Sequence, residues 1–133
     1  MNTKNKKLKI AIAGLGFGKK VHLEALKESD HLTPIAIYHY DKKQKSVLEK
    51  ATGLDFFHNW EDLVKSPKID GIIIATPPES RFKLAKKALE NNKNLLLEKP
   101  VSISSSEIEE LQRISLINNL SVCVDFEYRA VPL

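Results

Sequence analysis

The stretch LKIAIAGLGFGK, Leu8 to Lys19, decides how this chain folds. An apolar run from Leu8 to Ala13 ends in three glycines, Gly14, Gly16 and Gly18, and Lys19 to Glu28 follows with Val21, Ala25 and Leu26 at helical spacing. Such a run marks a strand, and a repeat of three to four marks a helix. The reading is strand, glycine turn, helix. At a turn of this kind bare backbone can approach a pyrophosphate, while the first amides of the helix and its positive dipole end face the anion. In the pattern G-x-G-x-x-G the third glycine would fall at position 19, where Lys19 stands, with Gly18 one residue early. The plainer alternative is a tight turn that needs glycine only for positive φ. Its place after the first strand favours phosphate binding.

Outward from this turn the strand-helix alternation repeats. Pro34 to Tyr38 is a second strand, and Lys42 to Ala51 is a helix with Val47, Leu48 and Ala51 on one side, stopped by Gly53. Asp55 to His58 is a brief third strand, after which Asn59 and Asp62 cap a short helix through Val64. Ile69 to Ala75 is nearly all apolar and β-branched, as a central parallel strand requires. Thr76-Pro77-Pro78-Glu79 then supplies a hydroxyl cap and prolines for a helix whose Phe82, Ala85 and Leu89 share a face, ending near Asn91-Asn92. Asn94 to Leu97 is the fifth strand. Ser104 and Glu107 form a capping box ahead of Ile108, Leu111, Ile114 and Ile117, and Ser121 to Phe126 is the sixth strand. Right-handed crossovers between such units give an α/β fold of Rossmann type, a doubly wound parallel sheet of order 3-2-1-4-5-6.

With 133 residues and 42% hydrophobic content the chain fits one domain with a real core. The expected division is a flexible basic tail over 1–7, a dinucleotide-binding domain over 8–126, and the start of a connection over 127–133. One cysteine, Cys123, excludes a disulfide framework, and four scattered histidines support no metal site. Cys123 reads as an inert core residue, and Trp60 as the anchor of its short helix. No apolar run approaches the ~20 residues of a membrane-spanning helix, and no secretory leader is evident. The expectation is a cytoplasmic protein that does not span a membrane. A net charge of +4, carried mostly by dispersed lysines without a groove-reading motif, argues against nucleic acid and suits an anionic small molecule.

Three further segments fall at the carboxyl ends of strands, where open α/β sheets bind ligands. Tyr38-His39-Tyr40-Asp41 stands where an acidic residue usually meets the adenosine ribose. With His39 at the tip a 2′-phosphate is not repelled; with Asp41 reaching back, NAD is favoured. The choice between NAD and NADP stays open, leaning to NADP. Ala75-Thr76-Pro77 shapes a crevice wall or merely starts a helix. Glu98-Lys99-Pro100 brings a carboxylate, an ammonium and a proline open to the cis form; alone it reads as an ordinary surface ion pair.

Taken in order, GLGFGKKVH, ATPP, EKP and VDFEYRAVP resemble the glucose-fructose oxidoreductase / inositol dehydrogenase (Gfo/Idh/MocA) family, over its N-terminal half only. The resemblance implies an NAD(P)-binding domain whose substrate domain, with the remaining catalytic groups, is absent. It implies that Gly14, Leu15, Gly16, Phe17 and Gly18 line the pyrophosphate, that His39 and Tyr40 lie by the adenosine ribose, and that Ala75, Thr76 and Pro77 border the nicotinamide. Glu98 and Lys99 match the EKP pair. Lys99 is the implied catalytic residue, and Arg129 the implied substrate-side or domain-interface residue. Arg81, where many members carry histidine, and His39, in place of an acid, depart from the pattern. His22 reads as a packed or capping residue. The expected function is hydride transfer between NAD(P) and a hydroxyl or carbonyl carbon of a sugar or polyol, with this fragment binding cofactor without turnover and a full-length form assembling as a homo-oligomer. The alternative is a non-catalytic dinucleotide-binding regulatory or sensing module.

Overall fold

A computed structural model describes residues 6–130. Most of the expected basic tail and the last three residues of the expected connection lie outside that range. Six strands form one parallel sheet in the order β3-β2-β1-β4-β5-β6, with β1 at Leu8–Ala13, β2 at Leu32–Tyr38, β3 at Asp55–Phe57, β4 at Gly71–Ile74, β5 at Asn94–Leu97 and β6 at Val122–Val124. The helices are α1 (Leu23–Glu28), α2 (Lys45–Thr52), α3 (Trp60–Lys65), α4 (Pro78–Glu90) and α5 (Ser105–Ile117). The expected strand order is the observed one. β2 begins earlier than expected, at Leu32, and its register with β1 slips next to Pro34, which has no N–H to give the ladder.

Alternation along β1 and β4 divides the core. Ala11, Ile72 and Ile74 join Leu63, Val64, Ala85, Leu89, Leu97, Leu111 and Ile114 in the larger cluster, packed against α3, α4 and α5. Ile10, Ile12 and Ile73 face the other way and, among the described residues, cluster with Leu23 and Leu26 of α1 as their buried partners. This uneven cover corrects one expectation: Cys123 is exposed. It pairs in register with Leu96, which leans on the smaller cluster, and β6 is the sheet's edge, beyond the reach of α1.

The first helix also differs from its sequence pattern. Gly18–His22 is a π-helical turn, in which the Leu23 amide bonds to Gly18 O. A π turn takes up one residue more than an α turn, so the inward face becomes His22, Leu23 and Leu26, while Val21 is exposed. In α2 only Leu48 is buried. In α5, Leu111 and Ile114 are buried, whereas Ile108 and Ile117 remain exposed.

Capping differs in detail as well. Asn59 accepts from the Glu61 amide as expected. α4 starts one residue later than expected, capped by Pro77 without a side-chain bond, and the Thr76 hydroxyl instead accepts from Ser80 Oγ at 3.2 Å. Ser104 makes no cap bond to α5: its Oγ lies 2.7 Å from Ser106 Oγ and its amide donates to Ser102 Oγ at 3.1 Å, while Ser102 Oγ donates to the Glu107 carboxylate. Both α4 and α5 end with asparagine in the left-handed region, Asn92 (φ 59°) and Asn119 (φ 52°). There Lys93 N bonds Ala88 O at 3.0 Å and Leu120 N bonds Ser115 O at 2.9 Å, the 6→1 closure of a Schellman motif.

Candidate cofactor site

The strand tips of β2, β1 and β4 surround a cleft of about 660 Å³, within the range of small-molecule and cofactor sites. Gly14, Leu15 and Gly16 form its floor, Tyr38, His39 and Tyr40 one side, and Ala75, Thr76 and Pro77 the other. Glu79, Ser80 and Leu84 of α4 complete the wall. The glycines have different reasons. Gly14 has φ +115°, and a Cβ there would stand 2.5 Å from Ala75 O, so only glycine lets the first turn lie against the β4 tip. At Gly18 a Cβ would press on Ile12 Cγ2 at 3.1 Å and Ala75 Cβ at 3.3 Å, so this glycine admits close helix-strand packing. Around Gly16 a Cβ would meet nothing within 4 Å, and this bare backbone fronts the cleft.

On the β2 side the rings of His39 and Tyr40 stack at 4.5 Å. Asp41 does not reach back along the strand: its Oδ1 accepts from the Lys43 amide at 2.9 Å, capping the short 3-10 turn that follows. Tyr38 lies edge-on to Trp60 at 4.8 Å, and Trp60 Nε1 donates to Leu84 O at 3.2 Å. That bond ties α3 to α4, a wider role than anchoring its own helix.

Four expected residues lie off the cleft's lining. Gly18 is buried beneath it. The Phe17 ring, 43% exposed, stands edge-on to His22 at 5.3 Å. The Glu98 carboxylate is buried and meets His22 Nε2 at 2.7 Å. Lys99 lies beside a separate hollow of about 280 Å³ with Phe126, Glu127, Tyr128 and Arg129. There Lys99 Nζ pairs with Glu127 Oε1 at 3.1 Å, and this hydrogen bond holds the ammonium above the ordinary lysine value. The Arg129 guanidinium sits 5.2 Å over the Phe126 ring. The Lys99–Pro100 peptide is cis.

Sequence reasoning missed a buried charged group beneath these tips. His22 is 6% exposed and also approaches Asp125 Oδ2 at 3.6 Å. Burial first, and the neighbouring Glu98 carboxylate second, push the Asp125 carboxyl above its ordinary value. His22, Glu98 and Asp125 bring one donor atom each within 4.8 Å of one another. Arg81 is 3% exposed and donates to the carbonyls of Thr76, Glu98 and Pro100. The signal available in the sequence was His22 at the end of the glycine turn's run and Arg81 in the first turns of α4. Their partners lie on other strands.

Among the described residues no helix is long and apolar enough to cross a membrane. The family model for the Gfo/Idh/MocA oxidoreductase family, NAD-binding Rossmann fold, matches residues 8–126. An uncharacterised oxidoreductase of Synechocystis sp. is 36% identical over 131 residues, 98% of this chain and 35% of its own length. A glucose-6-phosphate 3-dehydrogenase of Bacillus subtilis is 26% identical over 121 residues, 91% of this chain and 34% of its own length. The scyllo-inositol dehydrogenase of Lactobacillus casei, solved with NAD(H) and scyllo-inositol, superposes with a TM-score of 0.83 at 26% identity, covering 93% of this chain and 37% of that one. The chain thus spans about a third of the length of the relatives it matches. With its 3-2-1-4-5-6 sheet and its glycine turn at the carboxyl rim, this chain belongs to the Gfo/Idh/MocA oxidoreductase family, as its NAD-binding Rossmann fold.

Proposed function

We propose that this chain is the NAD(P)-binding part of an enzyme that transfers a hydride between a nicotinamide cofactor and a hydroxyl or carbonyl carbon of a sugar, polyol or related compound. The observation that carries the reading is the cleft at the tips of β2, β1 and β4, with the Lys99 ammonium held on the next strand tip. A dinucleotide fits the residues present. Gly16 leaves its backbone bare toward the cleft, and the amides from Leu15 to Gly18, at the start of a helix, suit a diphosphate. His39 and Tyr40 take the adenosine ribose, and Ala75, Thr76 and Pro77 border the nicotinamide half. On this reading the far end of the cofactor extends past the cleft to the β5 tip, where Lys99 borders the neighbouring hollow and Glu98 lies beneath it against His22.

When bound, the nicotinamide supplies or accepts the hydride. Lys99 orients the substrate oxygen and handles its proton, and Glu127 keeps the ammonium charged until substrate displaces that contact. Arg129, beside the same hollow, faces the substrate side. The cofactor reading leans to NADP, because the Asp41 carboxylate is committed to the Lys43 amide and the β2 tip sets no carboxylate against a 2′-phosphate. The sugar or polyol class follows the relatives named for inositol and glucose 6-phosphate.

Calorimetry with NADH and NADPH tests the reading directly. Saturable binding of either supports it, with NADPH the tighter, and no binding of either overturns it. In a chain extended through a substrate domain, Lys99→Ala abolishes turnover and keeps cofactor affinity. Unchanged turnover removes Lys99 from the chemistry.

A further inference from the structure

Arg81 lies one turn into α4 and is almost wholly buried, 3% exposed. Its Nη1 and Nη2 groups donate to backbone carbonyls while the buried Nε has no hydrogen-bond partner, and among the described residues it makes no ion pair. Nη1 reaches Glu98 O at 2.5 Å and also Pro100 O, while Nη2 reaches Thr76 O. All three carbonyls lie past the ends of the β4 and β5 ladders, which stop at Ile74 and Leu97, so no neighbouring strand supplies their donors. Glu98 and Pro100 are the two chain neighbours of Lys99. A single guanidinium therefore grips the backbone on both sides of the ammonium and ties it to the tip of the central strand.

Burial pushes the Arg81 guanidinium below its ordinary value, against the pull of Glu98 and Glu79. A buried cation with no close carboxylate is unfavourable unless its donors are well used, and an apolar residue would seat α4 on the sheet without that penalty. It would leave the three carbonyls unmatched. Lysine offers a point charge without a planar fork, and histidine offers at most two N–H groups. The arrangement needs arginine.

We infer that Arg81 is a positioning residue: it locks the Thr76 tip of β4 to the Lys99 tip of β5 and so sets where the nicotinamide end of a bound cofactor meets the ammonium. This rests on the reading that Thr76 and Lys99 flank the nicotinamide. It assigns Arg81 to one end of the site only. The adenosine end, at His39 and Tyr40, is out of its reach.

The test compares wild type, Arg81→Lys and Arg81→Ala. Each is titrated with the tighter of NADH and NADPH by nicotinamide fluorescence, and by calorimetry with the matching adenosine fragment, ADP or 2′,5′-ADP. Arg81→Ala weakens the whole cofactor by about tenfold, the scale of one lost well-placed contact, and leaves the fragment within about twofold; Arg81→Lys recovers part of the loss. Equal weakening of both ligands, or none, overturns the positioning role. Should Arg81→Ala fail to fold, the wild type carries the test by nitrogen-15 NMR. The whole cofactor then shifts the Arg81 side-chain and Lys99 amide resonances, and the fragment shifts those of Gly16 and His39 alone. Arg81 responding equally to both overturns the inference. A wild-type chain that binds neither ligand overturns the dinucleotide reading itself, an outcome distinct from a variant that keeps only its adenosine end.

Discussion

On the β1–β2 side of the carboxyl rim the cleft is made of bare glycine backbone and the rings of Tyr38, His39 and Tyr40. On the β5–β6 side the rim stands on buried charge: His22 against Glu98, Asp125 beside them, and Arg81 gripping three carbonyls. Both arrangements fix a surface, by opposite means. Backbone that must lie close to a ligand excludes side chains, so its geometry is set by sterics and by φ. A long ammonium that must be held in place needs a rigid base, and buried hydrogen-bonded charges give one because few alternative arrangements satisfy them.

The contrast breaks first at Gly14. Gly14→Ala places a methyl 2.5 Å from Ala75 O at a φ of +115°, and it should cost about 3 kcal/mol or more. That lowers the melting temperature by about 10 °C and removes cofactor binding. Gly16→Ala meets open space; it should leave melting nearly unchanged while weakening the cofactor. Paired thermal melts and titrations check both. If the two variants melt alike, the steric account of the turn is wrong.

The charged side yields next. His22→Ala strips the partner from a buried Glu98 carboxylate and should cost about 2 kcal/mol, read from urea unfolding. A smaller effect comes from Asp125, faced by His22, Glu98 and Glu127, whose folded pKa is raised by burial and by Glu98. The stability this gives is complete below the ordinary carboxylate value and is lost as pH rises through the raised one. Asp125→Asn stays neutral throughout, so its melting temperature should gain on wild type as pH rises from about 4, the ordinary carboxylate value, towards neutral. Melts across that range check it, and a gap that does not change with pH refutes the assignment.

The smallest effect is at the surface. Glu127→Gln removes the hydrogen bond that holds the Lys99 ammonium above its ordinary value. The amine then deprotonates at lower pH, and its acylation at mildly alkaline pH speeds up while melting stays the same. Peptide mapping after acylation reads this out.

The same contrast explains what the sequence reveals. The strand order follows from local patterns repeated along the chain, and the glycine turn from neighbours within five residues. Both are encoded where they act. The π turn is not legible, because the phase of His22 depends on which side meets the sheet. Nor are the partners of Arg81 and His22, which lie 17 and 76 residues away at Glu98. Their pairing exists only once β1, β4, β5 and β6 lie side by side. Cys123 looked internal because a short apolar strand carries no mark of how thinly one of its faces is covered.

That uneven cover has a dynamic consequence. α1 hangs from the face with the fewer buried partners, so beyond the His22–Glu98 bond that pins its start it opens at a lower free energy than the slab bearing α3, α4 and α5. Amide exchange would be faster there than in that slab in the empty protein. A ligand seated on the glycine turn would slow it first, making those amides a built-in gauge of occupancy.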